Sequence, residues 1–345
     1  MRSELPPLID EATLGDYLDD RLPGDGPFSI ERHLAGHSME TFRIGRSDST
    51  WILRRPPRGA FLPSAHDVGR EHRVLKGLAD TPVRAPKPFL MCEDEGIIGA
   101  PFYIMEYVDG IVIRSELPEA FGAPDRKRIG DELVDALVEL HSVDPSACGL
   151  ASFGKPHGYL QRQLRRWTGQ LELTLPLTRP LPDLETAGEW LQANSPESGA
   201  HTIVHGDYKL DNDAFAASPP ARLVAIFDWE MATLGDPLAD LGWMISFWRE
   251  PGDPADDVFA ELNRVTTMPG FSERADLIAR YEGATGRDAA GLVWYEVLAI
   301  WKLAILLEGS YARHLAGATD DPFFAEMEYR VPALARRAVD RAERG

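Results

Sequence analysis

The sequence predicts an α+β chain of two lobes: a small antiparallel-sheet lobe with one main helix, then a larger, mostly helical lobe. Three observations carry this. Between residues 28 and 107, short β-branched and aromatic runs alternate with turn residues and are interrupted once by a helical period. After Gly110 helical periods dominate. A chain of 345 residues also exceeds what one hydrophobic core usually supports.

The elements follow in order. Residues 1–27 form an acidic extension with a helix; Pro6 and Pro7 interrupt its start, and no basic stretch leads into an apolar segment, so a signal peptide is not expected. Segments 28–34, 40–45 and 50–55 read as strands. Over 67–78 the period changes, with Val68, Glu71, Val74, Leu75 and Leu78 at helical spacing. Pro82, Pro86 and Pro88 end that helix and lead to strands at 89–92 and 102–107. The lobe boundary belongs near 107–110, giving a first lobe of 28–107 and a second of 108–345.

In the second lobe, residues 126–141 place Ile129, Leu133, Leu137 and Leu140 on one helical stripe. Further helices are expected at 160–173, 184–191, 239–248, 255–265, 273–281, 291–315 and 323–337, with 175–182 as a connection. Apolar runs at 201–204 and 223–227 bracket a polar segment, and the second run has strand character.

Composition narrows the function. Apolar residues make up 44% of the chain and charged residues 26%, an ordinary globular balance. A formal net charge of -19 argues against nucleic acid or an anionic membrane as partner, so any polyphosphate site must be locally basic. Cys92 and Cys148 lie far apart in the chain, which fits a reducing compartment such as the cytoplasm and disfavours a thiolate metal site. The most apolar stretch, 292–307, contains Glu296 and Lys302 and reads as a core helix rather than a membrane span.

The polar segment carries the chemistry. Residues 205–212 have the spacing H-x-D-x-K-x-x-N, and Asp228 follows an apolar run sixteen positions after Asn212. Phosphoryl transfer to a hydroxyl needs a carboxylate that orients the nucleophile and accepts its proton, a role that falls to Asp207. Lys209 would stabilise charge on the transferring group. Asn212 and Asp228 offer hard oxygen ligands suited to magnesium held against triphosphate oxygens. His205 suits a loop-fixing hydrogen bond better than a base. One such residue in a polar loop is ordinarily surface; the joint spacing is what argues for a site.

These residues resemble the aminoglycoside phosphotransferase and choline kinase branch of the protein-kinase-like fold, whose pattern is H-G-D-x-x-x-x-N followed by I-D-W/F-E or D-x-D. His205, Gly206, Asp207 and Asn212 match the first part; Ile226, Asp228, Trp229 and Glu230 match the second, with Phe227 intervening. The resemblance is closest to phosphotransferase-family proteins related to the kinase-like domain fused to acyl-CoA dehydrogenases. The shared runs are W-I-L-R-R-P-P-R-G at 51–59, P-S-A-H-D at 63–67, G-A-P-F-Y-I-M-E-Y-V-D-G at 99–110 and G-D-P-L-A-D-L-G at 235–242.

The resemblance implies an ATP- and magnesium-dependent small-molecule kinase. It puts a nucleotide-facing turn at 35–41, with Gly36, Ser38 and Thr41 matching and Ala35 and Met39 departing. It puts the phosphate-binding strand cation on Arg54, with Arg55 the neighbour if the register shifts, and the acidic helix partner on Glu71. Met105, Glu106 and Tyr107 match the hinge that meets adenine, although a strand end explains them equally well. Asp236 and Asp240 fit a helix start that braces the catalytic loop better than a metal site.

For the acceptor, Arg162, Arg165, Arg166 and Trp167 cluster in one short helical segment of an acidic chain. With Glu230, the residues Arg162, Arg166 and Trp167 are the candidates for substrate contact, and they favour an anionic or CoA-linked hydroxyl compound; a solvated helix face explains the same cations. An aminoglycoside, sugar or amino-alcohol kinase is the alternative acceptor class. A nucleotide-binding pseudokinase, suggested by Ala35, Met39 and Arg54, is the alternative of a different kind. Oligomeric state is not legible.

Overall fold

The computed structural model describes residues 8–33, 39–57, 67–155, 157–198, 201–253, 264–318 and 322–345. The chain forms two compact units, Met1–Gly110 with Ala225–Glu230 and Ile111–Val224 with Met231–Gly345. The architecture is the expected α+β one, a small antiparallel-sheet lobe and a larger helical lobe on a protein-kinase-like plan.

The first unit contains α1 (Glu11–Leu18), β1 (Ser29–His33), β2 (Glu40–Arg46), β3 (Ser49–Arg55), α2 (Val68–Leu78), β4 (Pro88–Cys92), α3 (Glu95–Ile98) and β5 (Phe102–Glu106). Its strands form one sheet in the order β1-β2-β3-β5-β4, each neighbouring pair antiparallel. Asp10 starts α1 by accepting the N–H groups of Ala12 and Thr13 at 3.1 Å. Leu14 and Leu18 of that helix then pack into one cluster with Phe42, Ile44, Trp51, Leu53, Phe102 and Ile104. Each such fully buried side chain contributes about 1.5–3 kcal/mol relative to exposure.

Strand alternation now separates the two arginines of β3. Trp51 and Leu53 face the cluster, and Arg55 shares their side: its guanidinium donates to the carbonyl oxygen of Ile98 at 2.8 Å and to that of Leu8. Arg54 takes the opposite face and meets Glu71 of α2. Glu71 is buried because α2 sets its inward stripe at Val68, Glu71, Val74, Leu75 and Leu78, the spacing expected from sequence.

The second unit holds β6 (Ile111–Val112), α4 (Ala123–His141), α5 (Tyr159–Thr174), α6 (Pro182–Ala193), β7 (Thr202–Val204), β8 (Asp213–Phe215), β9 (Leu223–Ile226, whose last two residues belong to the first unit), β10 (Thr233–Gly235), α7 (Leu238–Phe247), α8 (Arg274–Thr285), α9 (Leu292–Leu315) and α10 (Met327–Arg344). Helix α9 is the hub, with α5, α6, α7 and α10 against it. Its indoles are satisfied on α6: Trp294 donates to the Leu191 carbonyl at 3.0 Å and Trp301 to that of Leu184 at 2.8 Å. Strands β7 and β10 pair antiparallel, Val204 opposite Thr233, so the polar loop leaves from a paired strand end.

Differences from the sequence expectation are local. Helix α4 begins at Ala123, three residues earlier than expected, because Pro124 is compatible with a first helical turn. Strands of two or three residues, such as β6, β8 and β10, are too short to show a period of two. The helix expected at 255–265 lies largely outside the described residues, and Arg264–Thr267 is a 3-10 turn.

Close approach of α7 to α9 depends on Gly242. A Cβ there would stand 2.6 Å from the Tyr295 Cβ and 2.8 Å from the Tyr295 carbonyl carbon, so one helix would have to move. Gly309 has only the flexible Gln170 amide at 3.9 Å. Gly242→Ala is therefore expected to lose about 1–3 kcal/mol by overpacking, whereas Gly309→Ala is expected to gain up to about 1 kcal/mol from helix propensity. Urea midpoints of the two variants check this; a Gly242→Ala protein as stable as its parent would contradict the packing.

Candidate active site

The loop after β7 is held by buried groups before any ligand is considered. Asp240, in the first turn of α7, is fully buried and accepts the N–H of His205 at 2.6 Å and of Gly206 at 2.8 Å. It also meets His141 Nε2 at 3.2 Å, and His141 Nδ1 in turn meets the Tyr281 hydroxyl at 2.8 Å. Burial alone would raise the Asp240 carboxyl; His141, His205 and the Gly206 amide outweigh it and hold the group below its ordinary value. Asp240 therefore braces the loop as an anion.

Gly206 sits at φ +86°, and a Cβ there would lie 2.7 Å from the Met231 carbonyl oxygen, so glycine is required on both counts. Its own carbonyl accepts from Lys302 Nζ at 2.8 Å. The next residue, Asp207, donates its N–H to His205 Nδ1 at 3.2 Å, the loop-fixing bond expected of that histidine. Tyr208 is buried and anchors the following turn through its hydroxyl, which donates to the Leu133 carbonyl at 2.7 Å.

Asp207, Lys209 and Asn212 come together. Lys209 Nζ lies 3.0 Å from Asp207 Oδ2, and Asn212 Nδ2 donates to both the Asp207 carbonyl and Oδ2 at 2.8 Å. The Asp207 side chain keeps 18% of its surface exposed, enough to be approached. Burial would raise its carboxyl, but Lys209, His205 and Lys302 override this and hold it low, so it is ionised at neutral pH. Both bonds of Asn212 use its nitrogen, which leaves its amide oxygen as the atom it can offer a cation.

The first unit holds a second cluster. The Arg54 guanidinium pairs with Glu71 Oε1 and, at 3.3 Å, with Asp228 Oδ1. Asp228 is fixed by its neighbours: the Ile226 N–H donates to the Arg84 carbonyl at 2.7 Å and the Trp229 indole to the Ile226 carbonyl at 2.8 Å. Its φ of +65° is uncommon for a residue with a Cβ, and aspartate is among the few that tolerate it. Burial pushes the Glu71 carboxyl up to about 7; Arg54 pulls against this, while Asp228 and Glu230 push the same way as burial. Burial would lower Arg54, yet Glu71, Tyr103, Asp228 and Glu230 together raise it, so the guanidinium stays charged.

Three carboxyl groups thus share one guanidinium. The carboxylate oxygens of Asp228 are hard donors of the kind magnesium takes. Among the described residues no group of three or more His, Cys, Asp or Glu forms a ready metal cage.

The other expected residues fall as follows. Gly36 and Ser38 lie outside the described residues; Thr41 pairs with Arg54 across β2 and β3. Met105 is buried opposite Ile52. Glu106 has its N–H on the Lys87 carbonyl at 2.8 Å, and Tyr107 is 38% exposed under the Arg43 guanidinium. Arg162 is turned back on its own chain, donating to the carbonyls of Lys155 and His157, while Arg166 is exposed with its guanidinium 5.1 Å from the Trp167 ring. Glu230 belongs with Arg54 and Glu71. Two residues were not expected: Lys302, which reaches the loop from α9, and Trp243 of α7, whose ring lies under the Lys302 ammonium. A lysine in the middle of the most apolar stretch was the available signal, since a buried charge requires a partner.

Comparison with known proteins bears on the family and the fold. A family model described as the phosphotransferase enzyme family matches residues 29–290. Acyl-CoA dehydrogenase family member 11 of Rattus norvegicus is 32% identical over 324 residues, covering 91% of this chain and 41% of that protein. The chain spans about two fifths of the length of that relative and of its chicken and human counterparts. A crystal structure from Ralstonia eutropha, provisionally named an aminoglycoside phosphotransferase, is 32% identical with a TM-score of 0.81, covering 97% of this chain and 98% of the other. ADP-bound aminoglycoside phosphotransferase APH(2'')-Ib shares the fold at 15% identity, with a TM-score of 0.57 over 97% of this chain and 99% of the other. The chain therefore belongs to the phosphotransferase enzyme family, on the protein-kinase-like fold.

Proposed function

We propose that the chain moves the γ-phosphoryl group of ATP, with magnesium, to a hydroxyl of a small molecule. The observation that carries this is the Asp207 carboxylate, ionised, part-exposed and fixed by Lys209 at 3.0 Å and Asn212 at 2.8 Å on a doubly anchored loop. Asp207 orients the acceptor hydroxyl and takes its proton as the new O–P bond forms and the bond to the β-phosphate oxygen breaks. Lys209 and Arg54 stabilise charge on the phosphoryl oxygens. Asn212 and Asp228 are the residues that would hold magnesium, which supplies neutralisation of the triphosphate charge when bound. Residues 28–107, with Gly36, Ser38, Thr41 and the 105–107 strand end, are the proposed nucleotide-binding part, and 108–345 the catalytic and acceptor-binding part. The ADP-bound relative of like fold supports the nucleotide.

Two acceptor readings stand. The names of the solved relatives, aminoglycoside and macrolide phosphotransferases and choline kinases, support an aminoglycoside, sugar or amino alcohol, and this reading has the wider support. An anionic or CoA-linked acceptor is supported by the acyl-CoA dehydrogenase relatives and by the exposed Arg165 and Arg166.

Asp207→Asn is expected to keep nucleotide affinity and lower turnover by roughly 10²–10⁴-fold; an unchanged rate in a coupled ADP-release assay would remove Asp207 from its role. Asp228→Ala is expected to weaken magnesium-nucleotide binding in calorimetry, and full retained affinity would count against it as a ligand. A screen of aminoglycosides, sugars, amino alcohols, hydroxy acids and hydroxyacyl-CoAs with ATP and magnesium tests the class. Tight ATP binding with no phosphorylated product across the screen would instead indicate a pseudokinase.

A further inference from the structure

We propose that Lys302 and Trp243 form an oxyanion-binding subsite for the acceptor, so that the enzyme selects molecules carrying a carboxylate near the hydroxyl it phosphorylates. This rests on the phosphotransferase reading and assigns the acceptor's charge.

Two donors at this place have unspent capacity. Trp243 is 4% exposed, and its indole Nε1 has no hydrogen-bond partner among the described residues. Buried N–H groups without partners are rare because they forfeit their bonds to water, and a bound ligand is one of the few explanations. Lys302 is 7% exposed and has three N–H donors, of which one goes to the Gly206 carbonyl at 2.8 Å. Its ammonium stands 4.4 Å from the centroid of the Trp243 ring and 5.7 Å from that of Trp167. The two donors therefore sit side by side.

The ammonium also sits beside the proposed base. The carbonyl that Lys302 holds belongs to the peptide joining Gly206 to Asp207, so the ammonium lies within roughly 6 Å of the Asp207 Cα by peptide dimensions. A hydroxyl on Asp207 and a second polar group a few bonds away span such a distance. Aromatic rings surround the ammonium: Trp243 packs on Phe247 with ring centroids 5.3 Å apart, and Trp167 flanks the ammonium.

Charge selects the sign of the ligand. Asp207 and Asp240 raise the Lys302 ammonium while Arg166 and Lys209 lower it, and Lys209 is itself paired with Asp207 at 3.0 Å and Asp211 at 3.7 Å. Both carboxylates are already committed, Asp240 to the loop amides and His141 and Asp207 to Lys209 and Asn212. The ammonium and the indole N–H are both donors, so the group that suits them is an acceptor, and a carboxylate accepts most strongly. Burial also pushes the Lys302 ammonium down to about 8, as expected of a cation that lacks its counter-ion.

The test compares short ω-hydroxy acids with the diols and amino alcohols of the same chain length, measuring binding by calorimetry with magnesium and ADP present and turnover separately with ATP. The parent protein is expected to bind the acid roughly ten-fold or more tightly than the diol, as a charged hydrogen bond implies. Lys302→Met is expected to abolish that preference. Trp243→Phe keeps a ring but deletes the N–H, and is expected to weaken acid binding several-fold while leaving the diol unchanged; it decides the matter alone if Lys302→Met does not fold. Equal binding of acid and diol by the parent, preference for the amino alcohol, or discrimination unaltered in Trp243→Phe would overturn the subsite. Selective binding of the acid with no compound phosphorylated would sink the phosphotransferase reading and leave the subsite standing; phosphorylation of diols or amino alcohols in preference to acids would do the reverse.

Discussion

The buried carboxylate of Asp240 is the constraint on which the catalytic loop depends. Removing an ion from water costs several kcal/mol. Here two backbone N–H groups and a histidine repay it, each hydrogen bond to a charged group contributing about 1.5–3 kcal/mol, and the ionised form wins. The Gly206 peptide is then gripped at both ends, its N–H by α7 through Asp240 and its carbonyl by α9 through Lys302. Asp207 owes its position to the packing of two helices as well as to contacts within the loop. Such support from rigid elements is what keeps a reacting group within the narrow geometry chemistry demands. The tight approach of α7 and α9 at Gly242 thus bears on function as well as stability.

The first unit solves a different electrostatic problem. Burial pushes the Glu71 carboxyl up to about 7, with Asp228 and Glu230 adding to it and Arg54 opposing it. A structural ion pair would be expected to depress a carboxyl. The left-handed backbone of Asp228 holds its carboxylate beside this pair in a conformation uncommon for a residue with a Cβ.

Much of this was legible in the sequence, for reasons that can be named. The inward stripe of α2 placed Glu71 because helical period is carried by five residues at once. The joint spacing of Asp207, Lys209 and Asn212 was legible because they share one loop, and the loop's geometry is local. Arg54 and Arg55 could not be told apart, since alternation fixes only that they face opposite ways; the choice depends on α1 and α3 supplying carbonyls to one side. Lys302 and Trp243 were missed because their meaning lies in long-range packing: 96 residues separate Lys302 from the carbonyl it holds. Arg162 looked available in the sequence and is spent on nearby carbonyls, a use that side-chain type alone does not reveal.

Asp207 as a base implies a single displacement in which the acceptor oxygen attacks phosphorus directly, with no phosphorylated side chain between. The most direct measurement is the stereochemistry at phosphorus when ATP chirally labelled in its γ-phosphoryl group is the donor. Inversion in the product ester is the predicted result. Retention would mean two successive displacements through a covalent phosphoenzyme, and would contradict the assignment of Asp207 as the group that activates the acceptor.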